Sequence, residues 1–158
     1  TELVLVLVII GILAGIAIPV YLGYTAHAQN RSAQTSLRIT LSDASGLFER
    51  YGSFDGPFHA YQSGGQSGQS WLVVALSKFE PALSFTTRAS DGPKQVSLKV
   101  VSPNILVLAA LALDHQCWFA KDDLQPGREG GILFGTRKVG SGCIATRWTH
   151  ITNWTTKL

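Results

Sequence analysis

From Leu3 to Ala26 the chain carries no charged residue, and most of that stretch is Leu, Val, Ile and Ala. About 20 consecutive apolar residues are enough to cross the hydrocarbon core of a bilayer. The rest of the chain has the opposite character. All thirteen Lys and Arg lie at Arg31 or later, against nine acidic side chains, a net +4. A total of 158 residues with 46% hydrophobic and 15% charged side chains suits one domain. The asymmetry excludes a disordered chain, a uniformly mixed globule and a multi-span membrane protein. It predicts an apolar N-terminal rod, residues 1–26, joined to one mildly basic head, residues 27–158.

A secretory signal peptide would open on a basic segment and close on a small-residue cleavage site. This chain opens Thr1-Glu2, and the apolar run continues into Tyr21-Leu22-Gly23-Tyr24. The segment therefore reads as retained. Glu2 is costly to place deep in hydrocarbon, about 2.5–3.5 kcal/mol for an acid at a helix centre. Its nearest cation in sequence, Arg31, lies roughly 40 Å away along a helix rising about 1.5 Å per residue. Glu2 either sits at the lipid–water interface or meets a positive group from another chain. Gly11, Gly15 and Pro19 weaken the helix locally, Pro19 by removing a donor and crowding the preceding turn. They make either a kinked span or a segment that can melt.

The run Glu2-Leu3-Val4-Leu5 through Gly11-Ile12-Leu13-Ala14-Gly15-Ile16-Ala17-Ile18-Pro19, followed by Tyr21, resembles the N-terminal signature of type IV pilins and the related pseudopilins. The resemblance implies removal of a short basic leader by a dedicated peptidase and N-methylation of the new terminus. It also implies a mature chain lacking its first three residues. The fold it implies is α+β and pilin-like: one long N-terminal helix packed against an antiparallel β-sheet. The implied role is structural rather than enzymatic. The chain would be a subunit of a type IV pilus, a helical homo-oligomer held by residues Glu2, Gly11, Gly15 and Pro19. It would sit in the inner membrane before assembly, meet the pilus assembly machinery there, and end on the cell surface. A type II secretion pseudopilin, or a minor pilin or adhesin acting as a binding module, shares the signature.

The residues beyond Ala26 give their own reading. Ala33, Leu37, Leu41, Ala44, Phe48 and Tyr51 step by three and four, the spacing of one apolar helix stripe. Gly52 is a stop signal. An amphipathic helix over 27–51 is therefore predicted. A Gly, Ser and Gln-rich loop over 52–70 follows, and then a short helix from Trp71 to Phe79 with Ser70 as its cap. The sheet region is 83–151. Its strands are expected at Leu83–Arg88, at Val96–Val100 with alternating burial, and at Ile105–Leu113, which is apolar throughout and so central. Others are expected at Cys117–Ala120, Ile132–Val139 and Cys143–Ile151. Short turns between consecutive strands predict an antiparallel sheet.

Cys117 and Cys143 are the only cysteines. In an exported domain such a pair reads as a disulfide, and it resembles the one near the C-terminus of many pilins; two free buried thiols are the alternative. Asn30-Arg31-Ser32 and Asn153-Trp154-Thr155 fit the glycosylation sequon, which makes Asn30 and Asn153 candidate acceptors. His27, His59, His115 and His150 are scattered and read as solvent-facing. Asp122, Asp123 and Glu129 read as a solvated acidic turn rather than a calcium loop. No catalytic motif, metal-ligand spacing or cofactor signature is present. The basic head could attract DNA or anionic surfaces weakly by charge, but its cations form no run.

Overall fold

The computed structural model describes residues 2–57, 68–112, 114–127, 130–140 and 142–157, with the side chains of residues 19, 20, 22, 23, 25, 26, 29 and 68 left aside. Its longest element is α1, Glu2–Tyr51, 50 residues of unbroken helix, about 75 Å at 1.5 Å per residue. It passes through Gly11, Gly15 and Pro19 without interruption. It ends where expected: Gly52 takes φ +70° and its N–H donates to the Phe48 carbonyl at 2.7 Å. Glycine enters that left-handed region at no steric cost.

The rest of the chain adds α2 (Gly68–Phe79), β1 (Ser84–Thr86), β2 (Gln95–Ser102), β3 (Ile105–Leu111), β4 (Gln116–Asp123), β5 (Gly131–Lys138) and a 3₁₀ turn, η1 (Ala145–His150). The strands form one sheet in the order β1-β2-β3-β4-β5. The architecture is α+β. Helix α2 begins at Gly68, slightly before the predicted start, and β4 runs on to Asp123. Of the predicted 52–70 loop, residues 58–67 lie outside the described residues. The part before them is docked: Phe54 is fully buried, 4.9 Å centroid to centroid from Phe48, and its N–H donates to the Pro103 carbonyl.

Two expectations are corrected. The sheet is mixed, because β1 runs parallel to β2, pairing Ser84 with Gln95 and Thr86 with Ser97. A hairpin would have reversed the chain, but the connection does not turn at the sheet edge. It reaches across the end of β2, where Ser90 N–H donates to the Cys143 carbonyl and Ser90 Oγ accepts from Leu111 N–H. The chain then re-enters in its original direction. The other correction is Cys143–Ile151, which is not a strand. Its alternating pattern gives way to the 3₁₀ turn because Ala145 N–H donates to the Ser97 hydroxyl rather than to a neighbouring strand. Burial of Cys143, Ala145 and Ile151 then holds the segment flat against the sheet.

The sheet is covered on both faces. Ala33, Leu37, Leu41, Ala44 and Leu47 of α1 and Leu72 and Leu76 of α2 pack over Val96, Leu98, Leu106, Leu108, Ala110 and Ala120. On the back, Val107, Ala109, Cys117 and Phe119 meet Cys143, Ala145 and Ile151. Strand β3 is therefore buried from both sides, which is why its sequence does not alternate. Removing this apolar surface from water is worth about 25 cal/mol per Å² and is the main force holding helix to sheet. Ser36 and Thr40, buried in the same helix stripe, donate their hydroxyls back to the carbonyls of Ser32 and Ser36, so both hydroxyls are satisfied within the helix.

Candidate assembly interface and the ties of the head

Among the described residues nothing packs on α1 between Glu2 and Ile18. Every side chain from Glu2 to Ile18 is exposed, with Leu3 at 73% and Ile16 at 63%. Gly11 and Gly15 have no neighbouring atom within 4 Å of where a Cβ would stand. An apolar surface of this extent is far larger than monomeric chains in water commonly expose. Glu2 stands in the first turn, where a carboxylate also complements the helix dipole. Among the described residues no helix is long and apolar enough to cross a membrane. The stretch with described side chains, Leu3–Ile18, rises only about 24 Å against a core of about 30 Å. The side chains that would complete the expected 3–26 span lie mostly outside the described set.

Where α1 meets the head, a polar clamp replaces apolar packing. Asn30 Nδ2 donates to Asp114 Oδ2 at 2.8 Å, and Trp118 Nε1 donates to Asn30 Oδ1 at 2.8 Å. Asp114 Oδ1 also accepts the Gln116 N–H at 3.0 Å. Burial pushes the Asp114 carboxyl up, but the Asn30 bond, backbone donors and the charge of Lys138 together outweigh it. The group titrates below the ordinary carboxylate range. A glycan on Asn30 Nδ2 would compete with the Asp114 bond; Asn153, by contrast, is exposed. This three-residue network was not legible in the sequence. Its only signal is an amide side chain at the edge of an apolar helix stripe.

Cys117 and Cys143 form a disulfide with Cα atoms 5.4 Å apart, a usual separation. It fastens the segment before η1 to β4 across the back face. His27, His115 and His150 are exposed, and His59 lies outside the described residues. His115 is in the left-handed region, φ 61°, in the β3–β4 turn. Among the described residues no cluster of three or more His, Cys, Asp or Glu could hold a metal ion.

The acidic residues of β4 differ from expectation. Asp122 and Asp123 are not a solvated turn but buried strand residues, 1% and 8% exposed; Glu129 lies outside the described residues. The two point to opposite faces, as strand neighbours must. On the back, Asp123 pairs with Lys121 at 2.9 Å, and the Lys121 ammonium lies over the Trp148 ring. On the helix side, Asp122 Oδ2 accepts a long bond, 3.3 Å, from the Ser45 hydroxyl, and Oδ1 has no hydrogen-bond partner. Desolvation, and secondarily the Asp123 charge, push the Asp122 carboxyl above the ordinary range. Asp43 is shifted the same way by burial and by Glu80.

No protein-family model, no curated protein and no solved structure matches this chain.

Proposed function

We propose that this chain is a structural subunit of a type IV-pilus-like filament, polymerising through the first half of α1. The observation that carries the reading is the division of one helix into two surfaces. From Ala33 to Leu47 its apolar stripe is buried in the head, whereas from Leu3 to Ile18 it is apolar and exposed all round. A helix apolar on every side needs apolar neighbours on every side, and a bundle of identical helices supplies them. The head then faces outward on each subunit. The resemblance of Glu2–Pro19 to the pilin signature supports the same reading.

In this reading the apolar half rests in the membrane before assembly and leaves lipid for the filament core. Glu2 then meets the N-terminal amine of a neighbouring subunit, because a lone charge in an apolar core is costly. Gly11, Gly15 and Pro19 mark the stretch of α1 that opens most cheaply when subunits pack along the axis.

The test is expression of the wild-type chain and of Glu2→Val in a host with a pilus assembly system, with fibres sheared from the cells and imaged by electron microscopy. Wild-type fibres with this chain as their main component, lost in Glu2→Val while the head keeps its thermal transition, support the reading. Undiminished fibres from Glu2→Val overturn the role of Glu2, and absence of this chain from any fibre overturns the assignment. A requirement for enzyme secretion with only short periplasmic fibres would instead identify a pseudopilin.

A further inference from the structure

An open cleft of about 530 Å³ lies between α1 and the β4–β5 hairpin, within the size range of clefts that hold a ligand group. Phe48 of α1, Leu124 after β4 and Ile132 of β5 give it apolar walls; Ser45, Glu49 and Asp122 are its polar members. No cation lines it. Asp122, a residue only 1% exposed, brings a carboxyl with one oxygen on a long hydroxyl bond and the other, buried, on none. A buried acid without a full set of partners is unusual enough to need an explanation.

The lysine next along the strand cannot serve it. Lys121 lies on the opposite face, committed to Asp123 and the Trp148 ring. Elsewhere the chain has cations in excess, thirteen Lys and Arg against ten Asp and Glu. Arg38, Lys78, Arg88, Arg137 and Arg147 are all exposed, and among the described residues none of them pairs with an acid. The cleft thus has what every copy lacks a partner for, and every copy displays what the cleft lacks. Its chemistry also suits a long basic side chain in particular: aliphatic stem against apolar walls, charged end on an acid.

From this complementarity we infer that the cleft is a socket for a lysine or arginine side chain of a second copy of this chain, with the Asp122 carboxylate as its counter-ion. The inference rests on the filament reading for its occupant. Ile132 and Leu124, 40% and 37% exposed, form the rim. Ile132 stands directly opposite Asp122 in the β4–β5 register, so the two side chains share one face.

That register supplies the test. Asp122→Asn removes the counter-ion at nearly constant shape. Ile132→Lys offers the cation from within the same chain and fills the socket. The full-length chain is assembled by dilution from mild detergent, and the critical concentration is read by pelleting. Both variants should raise it at least about tenfold, the order expected when one partner of a buried charge pair is taken away. Neither should lower the thermal midpoint of the unassembled chain, and Ile132→Lys should raise it. Assembly of both variants at the wild-type concentration overturns the socket and leaves the filament reading standing. A wild-type chain that stays monomeric at every concentration overturns both. If Asp122→Asn proves unable to fold, Ile132→Lys alone decides: a stable chain that assembles like the wild type overturns the inference.

Discussion

Asn30 and Trp118, 88 residues apart in sequence, are joined by a 2.8 Å hydrogen bond from the indole N–H to the amide oxygen. The bond sets where the exposed half of α1 ends and the packed half begins. The same amide donates to Asp114, so one side chain ties the helix both to the β3–β4 turn and to β4. The ties of the head to its helix are therefore polar at the Asn30 end and, apart from the long Ser45–Asp122 bond, apolar along the rest.

Replacing Asn30 tests that clamp. Asn30→Ala leaves the Trp118 N–H and one Asp114 oxygen without partners, at a cost of about 1–3 kcal/mol. Better helix propensity offsets only a fraction of that. Asn30→Asp should be worse, since it sets two carboxylates where one hydrogen bond stood. Thermal unfolding should rank wild type above Asn30→Ala above Asn30→Asp, with steps of about 2–4 °C per kcal/mol at this chain length. Equal midpoints would show that the clamp contributes nothing.

Opening the disulfide should loosen the back of the sheet before the front. The loop it closes, with a sequence separation of 26, is worth about 3–4 kcal/mol by chain entropy. The Cys117→Ala and Cys143→Ala double variant should lose about that much stability. Amide exchange should accelerate first at Ala145 and Ile151, and only later in β3. Mass spectrometry of the unreduced wild type should detect no free thiol.

Gly135 is needed for close approach rather than for its backbone angles. A Cβ there would stand 2.5 Å from the Ile151 side chain and 3.5 Å from Trp154. Gly135→Val should push the C-terminal segment off the sheet at about 1–3 kcal/mol. The two hydrogen bonds between Phe134 and Thr155 should open with it, read as faster exchange of both amides.

The carboxyls predict a pH dependence with two opposing parts. Asp122 and Asp43 titrate above their ordinary value of 3.8 in the folded chain, so folding favours their protonated forms. Their ionisation costs stability as pH rises from that value through the folded one, and the cost is full above it. Asp114 titrates below 3.8. Its contribution is present above that value and is lost as pH falls through the folded one. Urea unfolding across pH should show Asp122→Asn gaining on wild type as pH rises, with the two converging in acid. A difference between them that does not change with pH would show the Asp122 shift to be wrong.

The two-part helix was determined by sequence alone. Its charge-free stretch, its stripe from Ala33 to Tyr51 and the stop at Gly52 are local signals, read within a few turns of the residues that carry them. The central place of β3 was legible for the same reason, because Ile105–Leu111 is apolar at every position and can only be covered on both faces. The tertiary structure decided what depends on partners far along the chain. Whether Leu83–Arg88 returns as a hairpin or enters parallel is settled by Ser90 bonding to Leu111 and Cys143, contacts that no window around Ser90 contains. Cys143–Ile151 alternates like a strand, yet the Ser97 hydroxyl and the back of the sheet hold it as a 3₁₀ turn. Asp122 and Asp123 have the composition of a wet turn. The continuation of β4 beside β5 buries them, and burial is a property of what surrounds a residue rather than of the residue itself.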